Sequence, residues 1–300
     1  MILTLLATPA IMKLKAVATP TMPGGKLTPV MLPAFARERL GLTGLTLTSP
    51  ILAGADRDVL AKIRDAADRA GCPILGLVEL ETHSVADPDK AEATADRLQR
   101  LIQAANFLGA SSVGVPIQAP DDDDAMTDVA EVVRPVLKKA ERLEINLALA
   151  TAPGLASKAD RLGELLKKIG GFRVGTMPDF KSAHDSGDAP AYLKKLVPYA
   201  STVVAVSSKF ETSGTGKSAK TVHKPYDLKP YCEVLLAVGY DGVVAIDYRG
   251  TGDAITGIEN TRSALQTTLR ESLPDHEDDD LDLDIDEIVA EVEKEAETEE

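Results

Sequence analysis

The side chains able to do chemistry in this 300-residue chain cluster just after short apolar runs. Glu79, Glu81 and His83 follow PILGLV, and Asp179 with His184 follows FRVGTMP. Lys209 follows TVVAVSS, and Asp247 and Arg249 close the run VVAIDYR. Carboxylates with an imidazole suit a hard cation such as Mg²⁺ or Mn²⁺, provided one coordination position stays open. The same acids beside Lys209 and Arg249 would instead form metal-free ion pairs. An acid and a base facing each other, drawn from Glu79, Asp179, Lys209 and Asp247, would move a proton with no metal. Glu79 interrupts an apolar run, where a charge is costly unless paired. It is either a pocket residue or the structural partner of a nearby base.

Two further stretches carry weaker signals. GTGKS lacks the full GxxxxGK[ST] phosphate loop, because the residue five before Gly216 is Glu211. Gly214, Gly216 and Lys217 form either an anion-cradling rim loop or a lysine-rich surface loop. His184 in KSAHDSGD is either a solvated histidine of a polar loop or, like His83, a compensating ligand or substrate contact; His223 in KTVHK reads as a surface residue, and His276 in the C-terminal tail as solvated.

Strands and helices must bring these residues together. The apolar runs at Leu14–Thr19, 42–48, 73–80, 111–117, 145–150, 172–176, 202–207 and 243–248 read as strands. Between them lie helical patterns at 28–40, 56–70, 89–108, 125–142, 157–169, 190–196, 228–238 and 256–273. Gly41, Gly71, Gly109 and Gly239 stand at helix ends, and Pro135 interrupts the fourth helix. Eight strands alternating with eight helices predict a (β/α)8 TIM barrel over residues 14–273, whose functional residues gather where the strands exit. An open doubly wound sheet would call for GxGxxG after the first strand, and Pro23–Gly25 reads PGG. Residues 1–13 then form an N-terminal extension. Their apolar opening has no basic residue ahead of it, so it makes a poor signal peptide. Met12 is a second possible start.

The net charge of −14 resides in one place. Residues 275–300 hold fifteen acids against one lysine, and the body holds 32 charges of each sign. Such a tail repels nucleic acid and says nothing of substrate. Residues 275–284 are too densely charged to fold alone. Ile285, Ile288, Val289 and Val292 make one apolar face, so a short helix over 286–297 either docks on the body or a neighbouring subunit or frays. Two cysteines, Cys72 and Cys232, exclude a disulfide scaffold, and no apolar stretch is long enough to span a membrane. A cytoplasmic protein, with a homo-oligomer left open, is the expectation.

The segments INLALATAPG, GFRVGTMPDF, YLKKLVPYASTVVAVSSKF and YDLKPYCEVLLAVGYDGVVAIDYRG, with FARERLGLTGLTL and RLQRLIQAANFLGASSVGV upstream, resemble the xylose isomerase-like TIM barrels. This group spans sugar and sugar-phosphate isomerases and epimerases and proteins similar to AP endonuclease IV. The resemblance implies a divalent metal held by Glu after strand five, Asp after strand six, His after strand seven and Glu after strand eight. Here those positions fall on Ala150, Asp179, Ser207 and Asp247, with Lys209 matching the lysine of the His-x-Lys pattern. Two of the four ligands are absent and a third is shortened. The family's proton-moving Glu of strand five is an alanine. Four histidines and an aromatic content of 4% do not suit a multi-metal endonuclease site. The resemblance therefore implies a barrel with a degenerate metal site that binds a small molecule, a sugar or sugar phosphate. The alternative is an active isomerase or epimerase with a rearranged metal or none.

Overall fold

The structure, a computed structural model, describes residues 1–19, 21–213 and 220–271. Lys217 and the tail, with the helix expected over 286–297, lie outside the described residues. Eight parallel strands form the barrel: β1 Ile2–Ala7, β2 Gly44–Thr48, β3 Ile74–Val78, β4 Ser112–Gln118, β5 Asn146–Ala150, β6 Val174–Met177, β7 Thr202–Ser207 and β8 Val243–Tyr248. They neighbour one another in the order β7-β8-β1-β2-β3-β4-β5-β6. The ring closes where the Val204 N–H donates to the Pro178 carbonyl at 2.9 Å.

The helices are α1 (the helical stretch 29–39), α2 Arg57–Ala70, α3 Pro88–Leu108, α4 Asp123–Arg142, α5 Ala159–Ile169, α6 Phe180–Asp185, α7 Ala189–Leu196, α8 Lys229–Ala237 and α9 Ala254–Glu271. Two short helices, α6 and α7, follow β6 where the sequence suggested one. Asp56, Asp122, Asp179 and Asp188 cap α2, α4, α6 and α7 by accepting from backbone N–H groups. Ser157 does not cap α5. Its hydroxyl donates to the Gly154 carbonyl, and the helix begins after Lys158.

The first strand is Ile2–Ala7 and not Leu14–Thr19. β1 pairs with both β8 and β2, and a parallel strand covered on both faces is apolar throughout. That continuity leaves the opening run without the alternation that marks a half-buried strand. Residues 1–13 are thus no extension, and a chain begun at Met12 would lack a barrel strand. Within the stretch assigned to the first strand, Lys15–Ala16 forms only a two-residue ribbon with Gly25–Lys26.

Alternation along the strands sorts two cores. Leu5, Leu47, Leu77, Val115, Leu149, Val203, Ala205 and Ile246 face the helices. Leu6, Val78, Ala148, Ala150, Met177, Val204, Val206 and Ala245 fill the barrel. Met177 packs there against β4. A Cβ on Gly114 of β4 would overlap its sulfur.

Candidate functional site

The alternation of β8 turns Asp247 inward, level with Val206 of β7. Its residue is only 6% exposed. Burial pushes the carboxyl above the usual carboxylate range; Arg249 pulls it back and the nearby Asp179 charge adds to the rise. Arg249 Nε donates to Asp247 Oδ2 at 2.6 Å, while the arginine side chain remains about half exposed at 54%. The Arg249 N–H also donates to the Ser207 carbonyl at 2.7 Å, which fixes the backbone carrying the guanidinium.

Asp179 leaves β6 as the cap of α6. Its carboxylate accepts from Ser182 N–H at 2.8 Å and from Ser182 Oγ at 2.6 Å. Burial, and then the charge of Asp179, raise the phenols of Tyr192 and Tyr226, the former to about 12. Tyr192 Oη lies 3.1 Å from Thr151 Oγ1, and Tyr226 donates to the Val206 carbonyl at 2.6 Å. Asp179, Asp247, Arg249 and Tyr226 therefore belong to one neighbourhood where β6, β7 and β8 exit. His184 is exposed beside it, with its ring 4.9 Å from that of Tyr226 and Nδ1 3.3 Å from Tyr231 Oη. The two tyrosines are absent from the residues picked out by sequence. Their signal, a tyrosine in KPYD after the lysine-rich loop and one in PAYL, is too common to read.

Glu79 is buried and paired with a base. Its carboxylate is buried, accepting from Arg97 Nε at 2.7 Å, Ser49 Oγ at 2.6 Å and the Glu81 N–H at 3.0 Å. Burial alone would raise its pKa, but the bonds from Arg97, Ser49 and Glu81 and the arginine charge hold it down at about 2. Glu81 is exposed, 3.3 Å from Arg97 Nη2. His83 sits in a two-residue strand beside Ile117 of β4; its side chain lies outside the described residues. Lys209 points into solvent and pairs with Glu211 at 2.9 Å, at the base of a hairpin of Phe210–Ser213 and Lys220–His223.

Two positions differ from the sequence reading in which way they face. Ser207 is buried against α9, its Oγ 2.6 Å from Thr261 Oγ1, so it looks away from the barrel interior. The alternation that sends Val204 and Val206 inward requires this. His223, read as a surface residue, is buried: the hairpin register sets it opposite Phe210. Its Nε2 accepts from Ser208 N–H at 2.9 Å, which leaves Nδ1 to donate to the Tyr226 carbonyl at 2.7 Å. Burial lowers its pKa, consistent with a neutral ring tying the hairpin to the barrel.

The four aligned positions offer few donors to a divalent ion. Ala150 offers no donor, Ser207 faces α9, Asp247 is engaged by Arg249, and Asp179 caps α6. Among the described residues no three of His, Cys, Asp or Glu stand together closely enough to share an ion. Polar surface is present nonetheless. Beside Asp179, a cavity of ≈ 420 Å³ is lined by Thr151, Ser157, Ser182, Asp185 and Ser186 together with Ala152 and Pro153. Ser157, Ser182 and Ser186 donate their O–H to Gly154, Asp179 and Ala183, which leaves their oxygens to accept from a ligand's hydroxyls.

Fold and site together define an α/β barrel with its polar residues at the strand exits. The model of the xylose isomerase-like TIM barrels matches residues 35–271, and the chain belongs to that family. A search of curated proteins finds no match. Solved structures agree on the fold. A xylose isomerase-like TIM barrel protein from Mycobacterium smegmatis in complex with magnesium is 20% identical, with TM-score 0.61 over 82% of this chain and 92% of that one. For the 3-keto-D-glucoside 4-epimerase of E. coli the values are 14%, 0.65, 85% and 99%. An L-ribulose 3-epimerase gives 15%, 0.63, 77% and 87%. Among the described residues no helix is long and apolar enough to cross a membrane, and both cysteines are free and buried.

Proposed function

We propose that this chain binds a small polyhydroxylated ligand, a sugar or sugar phosphate, at the strand exits and without the divalent metal of its family. The observation that carries the reading is the Asp247–Arg249 pair. A largely buried carboxylate that would otherwise attract a metal is neutralised by a guanidinium 2.6 Å away. A fixed internal cation removes the electrostatic need for an ion, and a guanidinium has five N–H donors, so several remain for ligand oxygens. The cavity beside Asp179, lined by serines and a threonine, supports the same class of ligand. Names among the structural neighbours, which include sugar epimerases, point the same way.

One observation favours catalysis over binding alone. Burial raises the pKa of Asp247, Asp179 lies beside it, and two carboxyls in one site can serve as acid and base. Such a pair would move a proton between carbons or oxygens of a bound sugar with no metal. Calorimetric titration of chelator-treated protein with aldoses, ketoses and their phosphates tests the proposal. Binding in the presence of chelator, weakened tenfold or more by Arg249→Ala, is the predicted result. Binding that appears only after Mn²⁺ or Mg²⁺ is restored would overturn it.

A further inference from the structure

Far from the strand exits, Phe172 is fully exposed. It stands just before β6, at the end of the barrel where strands enter. Its neighbours are basic. Lys167 and Lys168 close α5, Lys139 and Arg142 close α4, and Arg173 follows Phe172 directly. The α4 end touches it, since the Phe172 N–H donates to Glu141 Oε1 at 3.0 Å. Arg134 reaches the same place through the Lys168 carbonyl at 2.7 Å. Glu141 and Glu144 are the acids placed here by hydrogen bonds or sequence, and Glu144 lies 4.0 Å from Arg173. Phe172 thus stands at 101% exposure on a face where the last turns of α4 and α5 supply mostly cations, an apolar contact offered amid positive charge. Cations at helix C-termini gain from the helix dipole, which accounts for the lysines and arginines and leaves the phenylalanine unexplained.

We infer that this surface is the docking site of the chain's own C-terminal tail. The chemistry is complementary: residues 275–300 carry fifteen acids and one lysine, and Ile285, Ile288, Val289 and Val292 are spaced to share one face. The apolar face covers Phe172 and the flanking acids meet Lys167, Lys168, Arg142 and Arg173. Reach is sufficient. The thirteen residues 272–284 span up to roughly 43 Å, against a radius of gyration of about 18 Å for a domain of this size. Docking at the strand-entry end leaves the strand exits open, so the tail serves as a clamp on α4, α5 and β6.

Zero-length carbodiimide crosslinking of the full-length protein, read by mass spectrometry, tests this. Links from tail carboxylates should concentrate on Lys167, Lys168 and Lys139. They should fall at least fivefold in Phe172→Ala, in Ile288→Ser/Val289→Ser and in 1 M salt. Both sets of changes are at exposed or tail positions, and an unchanged melting curve for the body shows that folding is intact. Mixing isotope-labelled and unlabelled chains tells whether the tail comes from the same molecule or a second copy, and either supports the docking. Links spread evenly over distant lysines such as Lys13 and Lys62 would overturn it. So would self-association through Phe172 with the tail unlinked, or oligonucleotide binding to the patch that the tail does not compete for.

Discussion

Replacing Arg97 by methionine should cost about 2–3 kcal/mol at neutral pH, and the cost should vanish in acid. The Glu79 side chain is buried, and the Arg97 guanidinium donates to it at 2.7 Å. A carboxyl titrating at about 2 in place of 4.5 contributes about 3 kcal/mol above pH 4.5. Removing one member of a fully buried pair costs about 3–5 kcal/mol. Arg97 is 40% exposed, so water screens the pair and the lower figure applies. The sign follows from linkage. A depressed carboxyl pKa stabilises the fold above pH 4.5, and that stability is lost as pH falls toward 2. In Arg97→Met the carboxyl keeps the burial that raises its pKa and loses its strongest counterweight, so the variant has less to lose in acid. Urea denaturation at pH 7 and at pH 2.5 measures both gaps. The gap should be about 2–3 kcal/mol at pH 7 and under about 1 kcal/mol at pH 2.5, and Glu79→Leu/Arg97→Met should recover much of the loss. Equal gaps at the two pH values would refute the reasoning, because loss of the arginine stem's packing does not titrate.

Three other changes follow from the same geometry. Ser207→His, which restores the family's residue at the aligned position, should add no metal affinity and cost about 1–3 kcal/mol, because the site is closed against Thr261; Mn²⁺ binding and thermal melts read both outcomes. Gly114→Ala should cost a similar 1–3 kcal/mol, roughly, by driving a methyl into Met177 inside the barrel, with Met177→Ala in the same chain relieving it. His223 has a depressed pKa, so it stabilises the fold above pH 6.5 and that stability falls as pH drops below 6.5. His223→Phe should lower stability by about 1–3 kcal/mol, with the Ser208 N–H left unpaired, and should flatten denaturation midpoints measured between pH 7 and pH 5.

Much of the barrel was legible because its punctuation is local. Asp56 caps α2, Gly71 and Gly109 take left-handed backbone at the ends of α2 and α3, and the apolar runs of β7 and β8 carry their own boundaries. β1 is hard to read because a strand buried on both faces lacks the polar–apolar alternation of a half-buried one, and residues 1–13 pass for an extension. The direction in which Ser207 faces is hidden for the same reason. TVVAVS reads as buried whichever way it faces, and only its neighbours in three dimensions show which residues point inward. Asp247 and Arg249 were visible as candidates, since IDYR places both within three residues. Their mutual pairing was not, because either could have faced a metal or a ligand. The Glu79–Arg97 bond joins residues on β3's exit and α3, and no spacing rule links them. His223 turned inward through hairpin register, which depends on a partner strand at 210–213.

Equilibrium binding of Mn²⁺ to chelator-stripped protein, followed by electron paramagnetic resonance, decides whether the Asp247–Arg249 pair takes the place of a bound ion. No stoichiometric uptake at millimolar Mn²⁺, and no difference between wild type and Asp179→Ala, is expected. One Mn²⁺ bound per chain, lost in Asp179→Ala, would contradict that expectation and return the protein to the metal-dependent members of its family.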